Sequence, residues 1–84
     1  MKVNFKTKYR GKSMIGDRYR AKCNCQISRF KLKQGDILIE TGAYNFETEE
    51  YEDSGEYNDL RNDNYDYICD VGSQFSKENL EKCQ

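Results

Sequence analysis

Eighty-four residues make one domain, residues 1–84, with a thin core: Leu, Ile, Val and Phe together supply 15 positions, and seven tyrosines must provide apolar area that aliphatic side chains usually give. The formal net charge is only -1, from 14 Lys or Arg and 15 Asp or Glu, so the chain lacks the charge excess that would hold so polar a sequence unfolded. There is no histidine, which excludes the commonest general base, the Ser-His and Cys-His nucleophile pairs and every His-ligated catalytic metal, and no run approaches the roughly 18 apolar residues of a membrane helix.

In chain order the pattern is mainly that of strands. Val3, Phe5, Thr7 and Tyr9 alternate with Lys2, Asn4, Lys6 and Lys8, as a strand with one buried face does, and Gly11 and Gly16 bracket a turn. Tyr19, Ala21 and Cys23 alternate with Arg18, Arg20 and Lys22, which predicts a second strand returning antiparallel to the first. Phe30 and Leu32, beside Lys31 and Lys33, give a third. Gln34-Gly35-Asp36 supplies the positive-φ residue of a tight hairpin, and Ile37, Leu38 and Ile39, the longest aliphatic run, form the expected central strand. Residues 47–64 read as a long loop, a frayed helix or an irregular hairpin, with Gly55 arguing against one continuous helix. Tyr65, Tyr67, Cys69 and Val71 alternate with Asp66, Ile68 and Asp70 as a final strand that Gly72 ends. Ser76 as N-cap, Glu78 in the first turn and Phe75 with Leu80 as a hydrophobic staple predict a helix from 77 to about 83, on which Leu80 and Cys83 share the inward face. The fold class expected is α+β: a mainly antiparallel sheet of about four to five strands with a short C-terminal helix.

Four cysteines in a small chain without a signal-peptide pattern point to a metal, because lasting disulfides are rare in a reducing compartment. Cys23 and Cys25 form C-x-C, Cys69 lies on the inward side of the last predicted strand and Cys83 on the inward side of the predicted helix. The expectation is a structural zinc site of four cysteines that ties the tail to the first half of the chain, contributing on the order of 10 kcal/mol to a domain short of core. Buried free thiols or two disulfides are the alternatives.

Charge is divided along the chain. Residues 1–35 hold eleven Lys or Arg against one acid, Asp17, whereas residues 36–84 hold fourteen acids against Arg61, Lys77 and Lys82. The tract ETEEYEDSGEYNDLRNDNYD from Glu47 to Asp66 has Arg61 as its single cation and carries a strongly negative local field. With no apolar walls evident around these carboxylates, nothing marks one of them as a general acid, and the expected function is binding, not catalysis. In one reading the tract docks on a basic protein surface of the kind a nucleic-acid-handling protein presents. Glu49, Glu50, Tyr51, Glu52, Asp53, Glu56, Tyr57, Asp59, Asp63 and Asp66 are then the partner-binding residues, with Tyr51, Tyr57, Tyr65 and Tyr67 supplying contact area. In the other reading the basic N-terminal half, with Tyr9, Tyr19 and Phe30 interleaved, grips a nucleic acid.

The acidic, tyrosine-bearing stretch EEYEDSGEYNDLRNDNYD, the histidine-free body and the four spread cysteines together resemble the small phage-encoded anti-CRISPR inhibitors of type II-A Cas9, more narrowly a zinc-containing member. That resemblance implies a stoichiometric inhibitor in the cytoplasm of a host bacterial cell, which binds Cas9 or its guide-RNA complex and prevents target DNA loading or cleavage. It implies no direct nucleic-acid contact and no membrane. Cys23, Cys25, Cys69 and Cys83 are the residues it carries over, as zinc ligands.

Overall fold

The computed structural model describes residues 15–83, so the strand expected over residues 2–9 lies outside the described residues. Nine strands and one short helix follow in chain order: β1 (Arg18–Ala21), β2 (Cys25–Ile27), β3 (Phe30–Leu32), β4 (Ile37–Thr41), β5 (Ala43–Asn45), β6 (Glu50–Glu52), β7 (Asp59–Arg61), β8 (Tyr67–Asp70), α1 (Gln74–Asn79) and β9 (Leu80–Lys82), with a 3-10 turn at Gly55–Tyr57 before β7. Five strands make an antiparallel sheet in the order β8-β7-β4-β1-β9, and the pairs β2-β3 and β5-β6 stand as two separate hairpins. The mainly antiparallel α+β class expected from the sequence is the one observed, with β4 at the centre of the sheet. No helix among the described residues is long and apolar enough to cross a membrane.

The register explains which residues are core. Tyr19 faces Leu38, Ala21 faces Leu80, Glu40 faces Leu60 and Leu60 faces Cys69, so all of these share one face of the sheet. Leu38 and Leu60 are fully buried there with Ala21, Cys69 and Leu80, and Leu32 of β3 joins the same cluster. Ile27 and Phe30 of the β2-β3 hairpin and Phe75 of α1 pack against it. Burial of a Leu or Ile side chain contributes about 1.5–3 kcal/mol, so this small cluster accounts for most of the apolar stabilisation available to the chain.

Several local expectations are corrected by longer-range pairing. The Gln34-Gly35-Asp36 turn is real, with Gly35 at φ +96° and the Asp36 amide donating to the Lys33 carbonyl. It does not join paired strands, however. β3 pairs with β2 through a two-residue turn in which Ser28 takes the positive φ of 56°, and β4 pairs with β1 instead. Cys23 falls outside β1, on an exposed bend. In β8 a bulge opposite Leu60 and Arg61 breaks the alternation, so that Ile68 and Cys69 are both buried while Tyr67 and Asp70 turn to the opposite face. The helix begins three residues before the expected start, since Ser73 is the N-cap, its hydroxyl accepting from the Ser76 amide at 3.1 Å, and Ser76 is buried inside the helix. It also ends early. Leu80 to Lys82 form β9, antiparallel to β1, so Leu80 and Cys83 do not share a helical face.

Candidate protein-docking site

The two hairpins leave β4 at opposite ends: β2-β3 precedes Ile37, and β5-β6 follows Thr41. Because the first carries Arg29, Lys31 and the adjacent Lys33 and the second carries Glu47, Glu49, Glu50 and Glu52, the charge division of the sequence becomes a separation in space.

The acidic hairpin is built by Asn45. Its side-chain oxygen accepts from the amides of Glu47 (2.8 Å) and Thr48 (3.3 Å), the Glu49 amide returns to the Asn45 carbonyl at 2.7 Å, and Glu49 itself takes the left-handed φ of 58°. An Asn at this point satisfies the loop amides that no strand partner reaches. Tyr44 and Tyr51 are directly opposed across the pair with ring centroids 4.8 Å apart, and Phe46 meets Tyr44 edge-on at 4.9 Å. Gly42 sets how the hairpin joins the sheet: a Cβ there would lie 2.6 Å from the Glu52 backbone carbonyl oxygen, so only glycine permits the approach. The returning strand is pinned by Asn58, which is 1% exposed. Its amide donates to buried Glu40 at 2.7 Å and to Asp53 at 3.0 Å, and its oxygen accepts from the Ser54 amide at 2.7 Å.

The aromatic side of this hairpin lies over the outer face of β7 and β8. Arg61 sits beneath Tyr51, 5.6 Å from the ring centroid, and donates to Asp59 at 2.6 Å and to the Tyr65 carbonyl at 3.0 Å. Tyr67 donates its hydroxyl to Asp70 at 2.7 Å. Between these groups runs a cleft of about 470 Å³, walled by Tyr44, Phe46, Tyr51 and Tyr67 and floored by Arg61 and Asp70, among others. Burial, opposed in part by Arg61, raises the Asp59 carboxyl above the usual carboxylate value, and burial together with Asp70 raises the Tyr67 phenol.

The predicted partner-binding residues divide into three groups. Glu49, Glu50 and Glu52 are exposed on the hairpin, and Glu56 and Tyr57 on the 3-10 turn, where Tyr57 is 73% exposed. Tyr51, Asp53 and Asp59 are engaged within the fold: Tyr51 stacks on Tyr44, Asp59 is buried with Arg61, and Asp53, though exposed, accepts hydrogen bonds from the Asn58 side chain and the Gly55 amide that hold its carboxyl below the ordinary value. Asp63 and Asp66 occupy the β7-β8 turn at the far end of the sheet, where Asp63 lines a second cleft with Lys31, and are not part of the same face. Sequence reading missed Phe46, which is 84% exposed at the hairpin tip, and Tyr44, whereas Tyr67, expected among the contact tyrosines, walls the cleft with them. A phenylalanine flanked by Asn45 and Glu47 in a polar stretch was the available signal.

Among the described residues, the ion pairs are Arg20 with Glu81, Arg61 with Asp59 and Lys82 with Asp17. None neutralises an acid of the hairpin, and β1, which bears Arg18 and Arg20, is separated from β7 by β4.

The cysteines are placed differently from one another. Cys69 is buried in the core; Cys25 is half-buried against it, paired opposite Leu32; Cys23 is exposed, its thiol 3.5 Å from the Asn79 side-chain oxygen. Burial raises the thiols of Cys25 and Cys69. Cys83 follows β9, its amide donating to the Arg18 carbonyl at 2.8 Å. Among the described residues no group of three or more His, Cys, Asp or Glu forms a ready metal-binding arrangement, while Cys25 lies within electrostatic reach of both Cys23 and Cys69. The tail is joined to the first half of the chain by the backbone pairing of β9 with β1.

No family model matches the chain, and neither a curated protein nor a solved structure does.

Proposed function

We propose that this protein is a non-catalytic binding domain that docks its β5-β6 hairpin on a basic surface of a nucleic-acid-handling protein, and that its partner is Cas9 or the Cas9-guide RNA complex, whose target DNA loading or cleavage it prevents. One observation carries the reading: the hairpin that bears Glu47, Glu49, Glu50 and Glu52, acids that form no ion pair with a described cation, also bears a phenylalanine that is 84% exposed. An exposed aromatic on an acidic hairpin joins an anchor for a pocket to long-range attraction for a cationic partner. The partner identity rests on the overall resemblance to anti-CRISPR inhibitors. The same resemblance carries a structural zinc held by Cys23, Cys25, Cys69 and Cys83.

The test is capture of the Cas9-guide complex by the immobilised protein. Reversing Glu47, Glu49 and Glu50 to Lys changes three exposed side chains that make no hydrogen bond to a described side chain, so the melting temperature is expected to hold while capture is lost. Capture that survives the triple reversal refutes the docking mode, and failure of the unaltered protein to capture the complex removes the partner.

A second reading has its own support. Arg18, Lys22, Arg29, Lys31 and Lys33 are exposed, which suits a phosphate backbone, although Phe30 is packed against the core with the Arg29 guanidinium 4.7 Å over its ring and so offers no open stacking face. Plain DNA binding that falls steeply with salt would favour it.

A further inference from the structure

The floor of the cleft beside the hairpin contains an electrostatic anomaly. Asp59 and Asp70 are directly opposed across the β7-β8 pair, an arrangement of like charges that destabilises a sheet. Arg61 pairs with Asp59, through a 2.6 Å contact. Asp70 accepts the Tyr67 hydroxyl with one oxygen, and that neutral donor leaves its charge in place. Among the described residues, two carboxylates and one guanidinium therefore leave the floor one negative charge in excess.

The walls are four aromatic rings. Tyr44 and Phe46 stand at 82° to one another and Tyr44 and Tyr51 at 59°, so their faces bound the cleft from different directions, and Tyr67, 46% exposed, closes the side next to Asp70. Aromatic faces attract cations, most strongly where water is partly excluded, and Arg61 beneath Tyr51 already makes one such contact inside the fold. At about 470 Å³ the space lies within the range of ligand sites and accepts one long side chain together with part of the chain that bears it.

We infer that this cleft binds a single cationic side chain, arginine or lysine, of the partner protein, with the aromatic rings around its charged end and Asp70 as counter-ion. The inference rests on the proposed docking of the hairpin and names the group that enters beside it: the hairpin acids attract a basic surface, and the cleft receives one residue of it.

The test uses N-acetyl-arginine amide and N-acetyl-trimethyllysine amide, with uncharged N-acetyl-norleucine amide as comparison, titrated into the whole protein while the ring resonances of Phe46 and Tyr67 are followed by NMR. Saturable shifts with the two cations and none with norleucine are expected. Asp70→Asn keeps an oxygen for Tyr67 but removes the charge, and is expected to weaken binding about tenfold, the scale of a lost charge-assisted contact. Phe46→Ala, at a position too exposed to affect folding, is expected to weaken it as well. Absence of saturable shifts, as when another part of the same chain already fills the cleft, overturns the inference, as does equal binding of norleucine or unchanged affinity in Asp70→Asn. Partner capture separates the two claims: loss on reversal of Glu47, Glu49 and Glu50 with no change in Asp70→Asn leaves the hairpin reading standing and removes the cleft.

Discussion

Asn58→Ala probes how the acidic hairpin is held to the sheet. The side chain is 1% exposed and makes three hydrogen bonds, to the buried Glu40 carboxylate at 2.7 Å, to Asp53 at 3.0 Å and from the Ser54 amide at 2.7 Å. A hydrogen bond to a charged partner contributes about 1.5–3 kcal/mol, and a buried group left without its partner costs about 1–3 kcal/mol. Removing the amide takes a donor from Glu40, which is 7% exposed and keeps, among the described residues, only the Tyr19 hydroxyl beside it, and strands the part-buried Ser54 amide, so a loss of about 3–5 kcal/mol is expected, large beside the roughly 5–15 kcal/mol that holds a domain folded. For a chain of this size it lowers the melting temperature by more than about 12 °C, read by circular dichroism together with urea unfolding. NMR supplies a second readout. The Asn58 amide is the main cause of the depressed Asp53 carboxyl, so in the variant that carboxyl moves back up toward 3.8. Whatever stability a depressed carboxyl contributes is present above its unfolded value and is lost as pH falls through the folded one. Asn58→Asp, which keeps an acceptor for Ser54 but sets a third carboxylate against Glu40 and Asp53, is expected to be at least as damaging at neutral pH. A loss under about 1 kcal/mol for Asn58→Ala, with Asp53 unmoved, refutes the clamp.

Other predictions concern the same framework. Gly42→Ala places a methyl 2.6 Å from the Glu52 carbonyl oxygen and 2.8 Å from its nitrogen, and is expected to cost about 1–3 kcal/mol and to displace the hairpin, seen as a changed melting temperature and altered Tyr44-Tyr51 cross-peaks. In alkaline titration, Tyr19, Tyr51 and Tyr67 resist ionisation, each phenol being raised above 10.0 by burial first. The protonated phenols contribute stability that is complete below 10.0 and falls as pH rises beyond it, because unfolding then releases protons. Tyrosinate absorbance that develops for all seven residues at the free value would contradict this. Cys69→Ser brings a hydroxyl into the core and is expected to cost about 1–3 kcal/mol, read by urea unfolding. Dialysis against EDTA is expected to lower the melting temperature if the four thiols hold zinc, and an unchanged value removes that site.

Periodicity was most informative where neighbouring strands share one buried face. Ile37, Leu38 and Ile39 were recognisable as the central strand because nothing else in the chain is as continuously aliphatic, and the alternation from Arg18 to Ala21 marked β1. Pairing was harder to read. The β2-β3 turn places Ser28 at positive φ, a conformation that the sequence Ser28-Arg29 does not advertise as Asn-Gly would, so the Gly35 turn drew the expected hairpin to the wrong pair. The bulge in β8 is a tertiary device that moves Tyr67 and Ile68 to opposite faces from those their spacing suggests. At the helix, Ser73 and Ser76 are both plausible caps, and only packing, which buries Ser76, decides between them. The acidic tract was visible as composition, but its division between the hairpin and the β7-β8 turn depends on strand direction, which charge counting does not contain.

The pairing of β9 with β1 bears on how the chain reaches its folded state. Arg20 and Glu81, joined at 2.7 Å, are 61 positions apart in sequence, and Leu80 completes the packing around Ala21 only when that distance has been closed. Contacts so remote demand a large loss of chain freedom before they return any energy, which makes folding slow for a molecule of this size. During synthesis the β1 edge stays open until Leu80–Lys82 have left the ribosome, and a nascent chain lacking them presents an unpaired strand to its surroundings.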